Sequence, residues 1–231
     1  IGSSELVSDV NGLASGIEAY GSRVVWSDSV ACFSTSAGVY CQEGRSNWNQ
    51  TQAIASNDLA ILGENPCSVF ASGMVCEDAS LVNSIGTSVT NYAIDIGGSE
   101  ENLCVLTAFG SIHCVGEDYT GVERINDDIE PFIELWSSPK TVCGLTVSHA
   151  LYCWGESSGP NGQASSTDNW LPVKVNIGVD AIASDISLSP DHACALRNSG
   201  KAVCWGAGTD GQLGYGFTSD SDTYRLVEVA N

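Results

Sequence analysis

Apolar residues along the chain come in runs of a few residues, broken by polar or glycine-rich stretches, and helical spacing is weak throughout. Five of the runs begin alike: IEAYGS at 17, IASNDL at 54, IDIGGS at 94, IELWSS at 133 and IASDIS at 182. The intervals between them are 37, 40, 39 and 49 residues. After each come two more strand-like segments around a small polar turn, then a polar, Gly-rich or acidic stretch. The predicted unit is strand, loop, strand, tight turn, strand, loop. It repeats over residues 17–53, 54–93, 94–132, 133–181 and 182–231 of one domain covering 1–231. Turn signals recur too often for long helices.

The ten cysteines fall inside these units in close pairs: Cys32 with Cys41, Cys67 with Cys76, Cys104 with Cys114, Cys143 with Cys153, Cys194 with Cys204. There is no C-x2-C or C-x4-C knuckle for zinc, and no lone cysteine to act as a nucleophile. CVLTAFGSIHC and CALRNSGKAVC each read as strand, turn, strand, as do the other three segments. Asn198-Ser199-Gly200 suits a three-residue hairpin loop with its glycine in the left-handed region. A hairpin of this length sets its flanking cysteines opposite one another, within disulfide range. The spacing therefore predicts five local disulfides, against the alternative of ten reduced, buried thiols. Disulfides imply an oxidising compartment.

Four-stranded units at a period near forty residues describe the blades of a β-propeller. The last unit is sharper still. It carries Ile182-Ala183, His192-Ala193-Cys194-Ala195-Leu196, Gly200, Val203, Trp205-Gly206 and Gly211-Gln212-Leu213-Gly214. These residues resemble the repeat of the regulator-of-chromosome-condensation (RCC1) family. The fourth unit keeps part of the pattern in TVCGLTVSHALYCWGESSGPNGQ, and the first three keep only the Ile strand and the hairpin. The resemblance implies an all-β propeller, here of about five short blades instead of the family's usual seven longer ones. It also implies that His192 makes a structural hydrogen bond between blades. Leu226-Val227-Glu228-Val229 resembles Leu171-Pro172-Val173-Lys174-Val175, and Glu5-Leu6-Val7 leads into the first unit in the same way. The two ends are thus expected to share a blade and seal the ring, since an open ring exposes unpaired edges; the competing expectation is a partial ring completed by further sequence.

Charge narrows the partners. The chain holds 28 acidic residues against 8 basic ones, a net charge of −20. Phosphate backbones and anionic headgroups are repelled, and no basic patch is available for DNA. The small GTPase and chromatin partners of the family's intracellular members are therefore not carried over. No apolar run is long enough to cross a bilayer. Ile1 follows no basic-then-apolar leader, as expected of a mature chain or an excised fragment.

Candidate chemistry is sparse. His113, His149 and His192 share no spacing with an acid, and no hydrolase, zincin or phosphate-loop pattern is present. The acidic stretches Asn126–Glu130 and Asp220-Ser221-Asp222 lack the spacing of a calcium loop and read as solvated. With 28 acids, no glycosidase pair can be nominated. Trp154 and Trp205 follow a cysteine, point to the opposite blade face and read as core. Trp48 and Trp170 sit in polar loops and are the candidate binding aromatics. Asn49-Gln50-Thr51 is the one N-x-S/T acceptor, placing a candidate glycan on Asn49 in a surface loop. No metal or cofactor is implied. The expectation is a non-enzymatic, extracellular or cell-surface propeller that binds proteins or its own copies. The alternatives are a glycan-binding lectin and an inhibitor of an extracellular enzyme.

Overall fold

A computed structural model describes residues 24–26, 29–35, 38–43, 49–52, 58–62, 64–71, 73–99, 101–119, 121, 123–156, 168–176, 182–219 and 221–226. They form five antiparallel sheets in chain order. The first blade runs β1 (Val24–Trp26), β2 (Val30–Thr35), β3 (Gly38–Glu43) and β4 (Asn49–Gln52). The second has β5 (Asp58–Leu62), β6 (Asn65–Phe70) and β7 (Gly73–Cys76), followed by helices α1 (Ala79–Ile85) and α2 (Thr87–Thr90). The third runs β8 (Ala93–Gly98), β9 (Asn102–Thr107), β10 (Ile112–Gly116) and β11 (Glu123–Arg124). The fourth has β12 (Phe132–Ser137), β13 (Thr141–Thr146), β14 (Leu151–Gly155) and β15 (Asn169–Lys174). The fifth has β16 (Ile182–Leu188), β17 (His192–Arg197), β18 (Ala202–Gly206) and β19 (Ser221–Leu226). The described residues form a β-propeller of five short blades, each with a bridged hairpin at its centre.

Two expectations change. The second blade has three strands, not four, and two short helices stand where its fourth would be. Leu226, the first residue of the expected sealing segment, instead ends the fourth strand of blade five, opposite Val203. Residues 5–7 and 227–229, the rest of the expected seal, lie outside the described residues.

The blades are joined by four apolar cores with a fixed polarity. The disulfide of one blade meets the inner strand of the next, and in blades three to five the residue after the second cysteine (Val115, Trp154, Trp205) looks back at the blade before. Cys143 and Cys153 pack with Trp205, Ala193 and Ile186 of blade five. Cys104 and Cys114 pack with Trp154, Leu135 and Val142 of blade four. Cys67 and Cys76 face Ile96 and Leu103, and Cys32 and Cys41 face Leu59 and Ile61. Alternation along a strand forces this arrangement, so Trp154 and Trp205 are core, at 1% and 0% exposure.

Inner strands are also tied by carboxylates. Asp58, Asp95, Glu134 and Asp185 occupy the same register, opposite Val69, Leu106, Leu145 and Leu196. Asp58 Oδ2 accepts the Ile96 amide at 3.0 Å, and Asp95 Oδ2 accepts the Leu135 amide at 2.6 Å. In both strands the register slips just before those residues, between Ala93 and Asp95 and between Phe132 and Glu134. A buried amide needs an acceptor, and the preceding blade supplies one, which for Ile96 is shared with Asp95 Oδ1 of its own blade at 3.0 Å.

Candidate interaction face

Blades three, four and five each offer two kinds of turn, one at either end of their strands. On one face, Ser99, Ser138 and Ser189 close the turns between first and second strands. Their amides donate to the carbonyls of Asn102, Thr141 and His192, and their hydroxyls accept amides in return. The glycine two residues after the second cysteine completes the motif: Gly116, Gly155 and Gly206, with φ of 150°, 129° and 102°. A Cβ there would strike the Glu101, Lys140 or Asp191 carbonyl. Those carbonyls instead accept the amides of Glu117, Glu156 and Ala207.

On the other face lie the central hairpin turns and the loops that enter the next blade. Gly110, His149 and Gly200 take the left-handed position of these turns, with φ of 76°, 62° and 79°. Just before them stand Phe109, Ser148 and Ser199. Phe109 is 70% exposed, Val147 52% and Tyr92 49%, with Ile94 and Ile133 also exposed. The Tyr92 and Phe109 rings lie 5.0 Å apart. Gly110 sits so close to Pro131 that a Cβ would collide with it, and the Gly110 carbonyl accepts the Phe132 amide at 3.0 Å. The Pro131 carbonyl then accepts the Val147 amide at 2.9 Å. An apolar strip therefore crosses from blade three to blade four.

The acidic stretch 126–130 borders this strip and is pinned. Asn126 is 2% exposed; its Nδ2 donates to the Gly110 carbonyl and its Oδ1 accepts the Ile112 amide, both at 2.9 Å. Glu130 accepts the Thr146 hydroxyl at 2.6 Å, and the Ser148 hydroxyl as well. The Ser148 bond, then the Thr146 bond, hold its carboxyl below the usual range; burial opposes this and Lys174 assists. Arg124 Nε pairs with Asp127 at 3.2 Å. The expected solvated loop is thus partly structural, through Asn126.

The nominated residues fall as follows. All ten cysteines are bridged in the predicted pairs, with Cα–Cα distances of 4.0–4.2 Å. Trp170 lies in β15 and not in a loop, half-buried against the core between blades three and four, and its carbonyl accepts the Tyr119 hydroxyl at 3.0 Å. With Tyr119, Trp154, Asn102 and Lys140 it lines a cleft of about 10 Å³, one water's worth of space. Burial, then Asp118 and Glu123, push the Tyr119 phenol well above its ordinary value. Trp48 lies outside the described residues, as does Asp220. Asn49 is exposed at the start of β4, an edge strand and not a loop.

The histidines are scattered. His113 Nε2 meets Ser111 Oγ at 3.2 Å, and burial first, then Arg124, lower its pKa. His149 occupies a turn tip. His192 departs from expectation: its Nδ1 meets Ser189 Oγ at 2.7 Å and Asp191 Oδ1 at 2.8 Å, within its own turn and not across blades. A nucleophile relay uses both ring nitrogens. Here one nitrogen meets both partners, and the Asp191 and His192 amides already occupy the serine oxygen. Among the described residues, no three His, Cys, Asp or Glu gather as metal ligands. No helix there is long and apolar enough to cross a membrane.

The strip was not nominated from sequence. Its signal is an aromatic at a turn tip where the other central turns carry serine.

Residues 183–212 match the model of the regulator of chromosome condensation (RCC1) repeat. The ultraviolet-B receptor UVR8 of Arabidopsis thaliana is 32% identical over 86 residues, 37% of this chain and 20% of the receptor. The matched part is thus about a fifth of that relative's length. Among solved structures, Prp20p of Saccharomyces cerevisiae, described with its binding to Gsp1p and histones, superposes with a TM-score of 0.69 at 16% identity. That match covers 95% of this chain and 65% of Prp20p. The CRINKLY ectodomain of the Arabidopsis thaliana receptor kinase ACR4 superposes at 0.51 and 16% identity, over 82% of this chain and 65% of its own. With a family repeat in its fifth blade and the family's fold across all five, the chain is a disulfide-braced, RCC1-like β-propeller.

Proposed function

We propose that this chain is a non-enzymatic protein-interaction module of a secreted or cell-surface assembly, binding other proteins or its own copies. The observation that carries this reading is the apolar strip from Tyr92 through Phe109 and Pro131 to Val147, held open on one face of a braced propeller. Exposed aromatics on a rigid support are what protein interfaces use as anchors. Five disulfides support an oxidising environment, and the protein binding reported for Prp20p supports the class of role.

The test incubates the labelled chain with extracellular protein, follows complexes by sizing and light scattering, and runs a glycan array in parallel. Discrete protein complexes that survive glycosidase treatment are expected. A chain that stays monomeric, or whose complexes depend on glycans, overturns the reading.

A further inference from the structure

We propose that the strip on blades three and four docks a basic protein segment with an apolar centre; this rests on the interaction-module reading. Three observations meet there. Phe109 occupies a turn position filled by Ser148 and Ser199 in the next blades, so turn chemistry does not ask for an aromatic. The ring is 70% exposed and lies tilted against Tyr92, 5.0 Å away.

The surface is also preformed. Asn126, Glu130 and the Pro131–Val147 bond fix both borders, so little ordering cost attends binding. Ile94 and Ile133, exposed beside the bulges of neighbouring inner strands, extend the strip toward the ring axis.

Charge selects the occupant. Residues 123–134 carry Glu123, Asp127, Asp128, Glu130 and Glu134 against Arg124 alone, which already pairs with Asp127. Lys174 is the other cation near Glu130. A second copy docking by this face would set one acidic border against its twin, in a chain of net charge −20. Anionic lipid is repelled likewise. A segment with Leu or Phe at its centre and Lys or Arg on its flanks matches both the strip and its border.

The probe is a labelled synthetic peptide with a Leu-Phe-Leu centre flanked by lysines, read by fluorescence anisotropy. Two controls accompany it: the same centre flanked by glutamates, and a serine centre flanked by lysines. Only the first peptide should bind, more weakly as salt rises. Phe109→Ser and Asp128→Lys should each weaken it about tenfold or more. Phe217→Ser, at an exposed aromatic of blade five, should leave it unchanged. All these side chains are exposed, and far-UV dichroism with a disulfide map checks the fold of each variant.

Equal binding of the glutamate-flanked peptide, or no effect of Phe109→Ser, overturns the inference. So does an effect of Phe109→Ser on self-association alone, which would assign the strip to a second copy. If complexes with extracellular proteins persist in Phe109→Ser, this site fails while the module reading stands. If the unmodified chain forms none, the module reading itself fails.

Discussion

Blades two and four share a bridged hairpin and an inner-strand carboxylate, yet they end differently. In blade four the second cysteine is followed by Trp154 and Gly155; in blade two by Glu77 and Asp78. Gly155, with φ 129°, lets the chain turn tightly over Lys140 before β15 closes the sheet. Asp78 instead accepts the Ser80 amide at 2.8 Å and caps α1. Helix α1 then packs Ile85 beside the blade-two disulfide, where a fourth strand would otherwise stand. Two positions past one cysteine thus separate an outer strand from a helix. The position between them separates an aromatic core residue from a solvated acid.

The largest expected effect tests that middle position. Trp154→Ala should cost about 3–5 kcal/mol in urea unfolding, because the indole fills the core between blades three and four. Glu77→Ala in blade two should stay within about 0.5 kcal/mol. Similar values for the two would break the contrast.

Next come the bridges. Replacing Cys143 and Cys153 together by serine should cost up to about 2.5 kcal/mol, and the Cys67 and Cys76 pair about as much, since their loops are alike. A much larger loss at blade two would mean that its helices depend on the bridge.

Gly155→Ala should cost about 2 kcal/mol through its left-handed φ and the collision with Lys140. Asp78→Ala should leave blade two folded and only speed amide exchange over 79–85.

In the other direction, His149→Gly should stabilise by about 1 kcal/mol or less. A left-handed histidine stands where neighbouring turns have glycine.

The smallest effect is acid loosening at Glu130. Its folded pKa lies below the ordinary 4.5, so the anchor is full above that pH and is lost as pH falls through the lower folded value. Protection of the Val147 and Ser148 amides, measured against their intrinsic exchange rates, should fall as pH drops through that lowered folded value, a response that Glu130→Gln removes.

The contrast between blades also shows where sequence is legible. Cysteine spacing gives hairpin pairing because the cause lies within ten residues of each site. The alternation that buries a cysteine on one side puts Trp154 and Trp205 on the other, so those core positions follow too. Helix α1 escapes because Asp78-Ala79-Ser80 is a cap signal on only seven helical residues, too few to show a period. The apolar strip escapes for a different reason. Tyr92 and Phe109 become neighbours only when blade three folds, and Val147 joins them only through Pro131. Asn126 reads as one more polar loop residue until Gly110 and Ile112 arrive beside it. His192 follows the family pattern in sequence, but its adjacent Asp191 and Ser189 satisfy it locally.

The bridges also have a mechanical consequence. Each closes a segment of nine or ten residues at the centre of its blade. A chain pulled open under oxidising conditions therefore keeps roughly 30 Å of extended length locked in every blade. Reduction releases that length blade by blade. For a module held between partners, the redox state of its surroundings sets how far it stretches before its contacts must give way.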